Sequence, residues 1–136
     1  MTVPDPIPRL PHRAPFLLLD RVLEIGERSG VFMKQVAAAD PCLAADGTLP
    51  AAFVLEALAQ GGGALLSAIS DDRVPQPGYL AAVDDFRVLT QPRVGDTIRV
   101  EVEVLRHFQG ATQVRGRALV DGRLCAEGRL TLALPR

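Results

Sequence analysis

The run from Leu49 to Ser70, LPAAFVLEALAQGGGALLSAIS, constrains this chain more than any other stretch. It reads as a helix of about six turns. Thr48 stands where it can cap the N-terminus, and Pro50 suits a first turn, where its missing N–H costs nothing. Phe53, Val54, Leu55, Leu58, Leu65, Leu66 and Ile69 spread around the circumference, so the helix is expected to be buried on most sides. Glu56 and Gln60 lie four apart and share a face. A lone buried carboxylate costs several kcal/mol unless it is paired, hydrogen-bonded or protonated. That face therefore either looks into a polar pocket or is satisfied from elsewhere, by an arginine or backbone at a dimer interface. Gly61, Gly62 and Gly63 each lower helix propensity by about 1 kcal/mol relative to alanine. Tolerating three of them predicts that another backbone packs very close to the helix. The run has about the length of a membrane span. Glu56 and Gln60 are expensive at mid-bilayer, and no basic or aromatic anchors flank the run, so no membrane span is expected.

Composition narrows the function classes. The 136 residues fit a single domain, 1–136, able to bury roughly two-thirds of the surface its unfolded chain exposes. A net charge of -1 and scattered arginines, with Lys34 the only lysine, give no footprint for nucleic acid. Cys42 and Cys125 form no CxxC pair and read as small hydrophobic side chains. His12 and His107 have no neighbouring ligand at helical spacing, so no metal is expected, nor any other cofactor. The N-terminus lacks an apolar signal region, and the chain is expected to be cytoplasmic.

Residues 1–15 carry Pro4, Pro6, Pro8, Pro11 and Pro15, which predicts an extended arm with a bend. His12 within it reads as a buried histidine that hydrogen-bonds the bend. Strands are expected at Phe16–Ile25, Gly30–Val36 and Gly78–Leu89. A loop at Ala37–Gly47 holds Asp40, Cys42 and Asp46, and a polar connection runs from Asp71 to Pro77. Ile98, Val100, Val102 and Val104 then alternate with Arg99, Glu101 and Glu103. Val114, Gly116, Ala118 and Val120 repeat the pattern, Asp121-Gly122 is a two-residue hairpin signal, and Leu124 to Leu134 alternates again. Such alternation means antiparallel strands with one wet face. His107, beside a turn of the last hairpin, is expected to be exposed. One buried helix and about six such strands pack most economically as an α+β hotdog fold, with the sheet curled around the helix.

Three segments resemble the FabZ-type 3-hydroxyacyl-[acyl-carrier-protein] dehydratases. Leu10 to Val22, LPHRAPFLLLDRV, is similar to that family's PHR-x-PFLLxDRV. Pro50 to Gln60, PAAFVLEALAQ, is similar to its PG-x-x-x-LEAMAQ helix, and Phe86 through Pro92 to Gly95-Asp96 to its F-x-x-P-V-x-PGD strand and turn. The resemblance implies elimination of water from a 3-hydroxyacyl thioester on acyl carrier protein or coenzyme A. In that family a histidine in a G-H-F-P-G loop removes the α-proton, and the partner subunit's helix carboxylate helps expel the hydroxyl. Backbone N–H groups, one at the helix start, stabilise the enolate-like oxygen. Carried over, Glu56 matches the carboxylate and Gln60 the helix glutamine. Ala51 stands where a glycine supplies the N–H, and Tyr79 where many members place an aromatic near the acyl tunnel. An acyl chain needs apolar walls, expected from Leu49, Phe53, Tyr79 and Phe86. The resemblance also implies a dimer whose two sheets join edge to edge.

The G-H-F-P-G segment is absent. Between Pro41 and Leu49 the chain has only CLAADGT, and Asp46 is the one ionisable group near the place of the histidine. Three readings follow. Asp46 replaces the histidine as base in a modified dehydratase, its pKa raised by desolvation; the bland alternative for Asp46 is an ordinary Asp-Gly turn. Or the chain is a silent acyl- or carrier-binding subunit, or pairs with an active dehydratase as some FabZ-like subunits of polyene and other secondary-metabolite pathways resemble. Thioester hydrolysis, in which a hotdog carboxylate activates water, is the third, disfavoured by the PHR and LEALAQ segments.

Overall fold

The computed structural model describes residues 5–10, 12–13, 16–69 and 79–133. Six strands form one sheet: β1 (Arg21–Ile25), β2 (Ser29–Gln35), β3 (Tyr79–Val88), β4 (Thr97–Phe108), β5 (Ala111–Val120) and β6 (Arg123–Ala133). Their spatial order is β1-β2-β4-β5-β6-β3, antiparallel throughout. The single helix among the described residues, α1 (Ala51–Ile69), packs on β2, β3, β4, β5 and β6. This is the α+β hotdog arrangement that the alternation implies. The connection Asp71–Pro77 lies outside the described residues, as do Ser70 and Leu134 at the ends of the expected helix and last strand.

The core is the contact between α1 and the inner face of the sheet. Val54, Ala57, Leu58, Ala64 and Leu65 meet Phe32, Ile98, Val100, Val102, Val114, Ala118 and Leu130, all buried. A nineteen-residue helix of this hydropathy is long enough to span a bilayer; here one side of it, Val54, Ala57, Leu58, Gly61, Gly62, Ala64 and Leu65, is buried, while Phe53, Leu55, Leu66 and Ile69 are only partly buried, so the helix is not buried on most sides as its apolar circumference leads one to expect. The glycines are explained by space. A Cβ on Gly62 would lie 2.8 Å from Leu132 Cδ1, and one on Gly61 3.0 Å from Val100 Cγ1. The close neighbours are side chains of β4 and β6, not the backbone that the three glycines led us to expect. Gly63 faces the N-terminal arm, with Leu10 Cδ2 at an ordinary 3.4 Å from the same notional Cβ.

The arm and β1 differ from their sequence reading. Ile7–Arg9 is a 3-10 turn, and Ile7 and Leu10 are buried in the core, so the arm docks instead of simply extending. Residues 16–18 do not join the β1–β2 ladder, because their backbone groups are engaged elsewhere, whereas Asp20 N–H already donates to Met33 O of β2 at 2.8 Å. The Phe16 and Leu17 N–H groups donate to Arg13 O, Leu18 N–H donates to Gln60 Oε1, and Phe16 O accepts from Gln60 Nε2. A backbone group given to a helix side chain is not free for a neighbouring strand.

Of the turns, Asp121-Gly122 closes β5–β6 with both residues at positive φ, 51° and 77°, the hairpin geometry its sequence signals. The β4–β5 turn at Gln109-Gly110 has the same signature, φ 33° and 77°. His107 belongs to that hairpin, not to the last one; it is exposed, and its Nδ1 lies 2.8 Å from Thr112 Oγ1. On β3 a bulge between Asp84 and Arg87 puts Asp85 at φ 53° and seats Phe86 over Gly128.

Candidate active site

Glu56 occupies the second turn of α1, with its side chain 40% exposed. Two nitrogens approach one of its oxygens. Gln60 Nε2 and His12 Nε2 each lie 3.1 Å from Glu56 Oε1. Gln60 follows one turn later and is 1% exposed, yet every one of its polar positions is filled. Its Oε1 accepts Leu18 N–H at 2.8 Å, and its Nε2 donates to Phe16 O at 2.7 Å as well as to Glu56. A buried amide needs that complement of partners, and here it fastens the arm to the helix.

His12 rides on the docked arm. The bend is held by Arg13, whose Nη1 donates to the carbonyls of Leu10 at 2.5 Å and His12 at 2.7 Å. The expectation that the His12 side chain bonds the bend is corrected: arginine holds the bend, and the imidazole, 31% exposed, is turned to Glu56. Sequence reasoning missed this pairing. The signal was Gln60, because a buried amide requires backbone partners and the arm is the segment that supplies them.

Asp46 sits in a different setting. Its Oδ1 accepts the Thr48 hydroxyl at 2.6 Å and the Thr48 N–H at 3.1 Å, and the side chain is exposed. The Thr48 hydroxyl first, then its N–H, hold the carboxyl below its ordinary value of 3.8, with Arg93 adding a smaller pull against slight desolvation. The direction is opposite to the one a base requires. Thr48 is likewise not the helix cap that its position suggests, since its hydroxyl is turned back to Asp46; the first helical N–H bonds, from Phe53 and Val54, go to Pro50 O. The turn is pinned to the β3–β4 connection by Leu49 N–H to Pro92 O and Val94 N–H to Gly47 O. Gly47, at φ 85°, makes the sharp reversal available.

The remaining candidates are dispersed. Ala51 opens α1, where first-turn N–H groups lack an intrahelical acceptor. Leu49 is fully buried in the core and offers no free surface within one chain. Phe53 and Phe86 are half-buried against the core, and Tyr79 stands 57% exposed at the start of β3. An open groove of about 410 Å³ lies elsewhere, on the outer face of the sheet, lined by Asp85, Glu103, Arg115, Arg117, Glu127, Gly128 and Arg129. Its charges are matched in ion pairs such as Arg115–Glu103 and Arg129–Asp85, and it holds none of the candidate residues. Chemically, the Glu56 cluster can hold one carboxylate oxygen still and leave the other available to accept or deliver a proton.

Comparison with known proteins fits this arrangement. A family model described as ApeP-like, ApeP dehydratase, matches residues 4–136. The 3-hydroxyacyl-[acyl-carrier-protein] dehydratase FabZ of Thermomicrobium roseum is 37% identical over 131 residues, covering 92% of this chain and 87% of that protein. The FabZ of Dechloromonas aromatica is 34% identical over 141 residues, covering 98% and 97%. Among solved structures, the dehydratase heterocomplex ApeI:P from Xenorhabdus doucetiae superposes with a TM-score of 0.90 at 22% identity, covering 99% of this chain and 93% of that one. A hypothetical thioesterase from Streptococcus pneumoniae with coenzyme A reaches 0.71 at 11% identity, over 85% and 84%, a likeness of fold. With the LEALAQ helix, the docked PHR arm and a family match across nearly the whole chain, this protein belongs to the FabZ-type dehydratases, in the ApeP-like family.

Proposed function

We propose that this chain is the carboxylate-bearing half of a two-subunit dehydratase acting on 3-hydroxyacyl thioesters of acyl carrier protein. The observation that carries the proposal is the inequality of its two candidate carboxylates. Glu56 Oε1 accepts from Gln60 Nε2 and lies 3.1 Å from His12 Nε2, and its other oxygen has no partner among the described residues, whereas Asp46 is exposed, doubly bonded to Thr48 and shifted toward stronger acidity. Elimination of water needs a base at the α-carbon and an acid at the β-hydroxyl, on opposite sides of the bond that breaks. This chain supplies a candidate for the acid. The base then comes from a FabZ-type subunit that retains its loop histidine, and Ala51 N–H at the helix start is placed to stabilise the enolate-like oxygen.

The second subunit joins along β3. That strand ends the sheet, its outer edge has no strand partner among the described residues, and Tyr79 and Val83 stand exposed on it. An unpaired edge of this length invites strand addition. Phe53 and Phe86 contribute to an acyl passage that closes only between subunits, with Tyr79 at its rim and Leu49 and Gln60 as the packed support beneath. The substrates of the FabZ relatives and the heterocomplex from Xenorhabdus support this reading, which places the chain in cytoplasmic fatty-acid or polyene-type synthesis.

The test is dehydration of a 3-hydroxyacyl-carrier thioester by this chain alone, by a histidine-bearing subunit alone and by the two together. The reading requires a stable complex and turnover that depends on Glu56. Turnover by this chain alone that Asp46→Asn abolishes favours the Asp46 enzyme instead. Release of free thiol in place of enoyl product favours hydrolysis.

A further inference from the structure

One group in the Glu56 cluster has chemistry that the proposed reaction leaves unassigned. His12 Nδ1 is buried and has no hydrogen-bond partner among the described residues, while its Nε2 lies 3.1 Å from Glu56 Oε1. An ionised carboxylate only accepts, so Nε2 is the nitrogen that carries the hydrogen. A hydrogen on Nδ1 would be a buried donor without an acceptor, which is costly. The two observations select one tautomer, with Nε2–H directed at Glu56 and Nδ1 bare.

Gln60 reinforces the same oxygen, and its orientation is not adjustable. Leu18 N–H takes the amide oxygen and Phe16 O takes one amide hydrogen, which leaves the other for Glu56 Oε1. With two N–H donors on Oε1, a proton placed there would displace one of them. The mobile proton is therefore confined to Oε2.

We propose that His12 is a positioning residue: with Gln60 it pins Glu56 Oε1, so that Glu56 delivers and receives its proton through Oε2 alone. The proposal rests on the reading of Glu56 as the acid of the reaction. It makes the proline-rich arm part of the site. Leu10 in the core and the Arg13 contacts to the carbonyls of Leu10 and His12 fix where the imidazole stands.

The test compares His12→Phe, His12→Gln and Glu56→Gln in the reconstituted complex, with the melting temperature of each. Phenylalanine keeps a ring and loses the donor; glutamine restores an N–H near the place of Nε2. His12→Phe is expected to lower kcat about tenfold with KM within about twofold, and His12→Gln to recover most of that loss. A His12→Phe enzyme with unchanged kcat and only a lowered melting temperature overturns the proposal. Nitrogen-15 NMR of the imidazole in the full chain gives a readout that needs no turnover. The neutral Nε2–H form, with an Nε2–H proton resonance that moves in Glu56→Gln, is the expected result; the Nδ1–H form overturns the proposal. If Glu56→Gln leaves turnover intact, the reading of Glu56 as acid has failed, and the tautomer still decides whether His12 holds it.

Discussion

Glu56 and Asp46 are both carboxylates near the start of the same helix, and their neighbours give them opposite properties. Asp46 receives its donors from Thr48, two residues away, in a turn open to water. Glu56 receives its donors from Gln60, one helical turn on, and from His12 on a separate segment that must dock before they meet. The local pair stabilises an anion and weakens it as a base. The assembled cluster gathers two nitrogens on one oxygen, Oε1. Closeness in sequence to the place of the missing histidine therefore does not give Asp46 the raised pKa that a base requires; its hydrogen-bond donors shift it the other way.

The comparison breaks most visibly at Glu56 itself. Glu56→Gln keeps the shape of the side chain and removes the acid, so steady-state turnover of the two-subunit complex is expected to fall by about a hundredfold or more. A smaller effect on activity but a larger one on stability is expected at the residue beneath it. Gln60→Leu leaves Leu18 N–H and Phe16 C=O without their partner, and two such groups imply a loss of about 2–4 kcal/mol in urea unfolding. Loosening of the arm should accompany it, seen as faster amide exchange at Leu18.

Asp46 sharpens the comparison by how little it changes. Asp46→Asn is expected to leave turnover within about twofold, because a residue outside the reacting atoms carries no general-base contribution. Its influence should appear in acid. The folded carboxyl titrates below its ordinary value of 3.8, so its ionised form stabilises the fold above that value and the contribution is lost as the pH falls through the lower folded value. The urea midpoint of the parent chain should therefore exceed that of Asp46→Asn at pH 6, and the gap should narrow as the pH falls below 3.8. A base with a raised pKa would give the opposite slope, the parent gaining relative to the variant in acid.

Much of the fold was legible because its signals are local. Ile98, Val100, Val102 and Val104 are buried as their alternation requires, and the Asp121-Gly122 turn sets the β5–β6 register Val120 to Arg123. Glu56 and Gln60 stood out because they are polar in an apolar helix. What was not legible depended on long-range hydrogen bonding. Phe16–Leu18 has the composition of a strand, yet Gln60 and Arg13 take its backbone groups. Thr48 looked like a cap, but a carboxylate two residues earlier competes for its hydroxyl. The role of His12 was hidden because prolines describe how an arm avoids regular structure and not where it docks.

The most direct measurement is turnover of a complex in which the two candidate sites are disabled one at a time. In the proposed complex, site one would pair this chain's Glu56 with the partner subunit's histidine, and site two the partner subunit's own helix carboxylate with the Asp46 turn of this chain. Glu56→Gln in this chain is expected to abolish dehydration of a 3-hydroxyacyl-carrier thioester, while the matching carboxylate-to-amide change in the partner leaves the rate intact. Loss of activity from the partner's substitution, with Glu56→Gln tolerated, would contradict the assignment of Glu56 as the working acid.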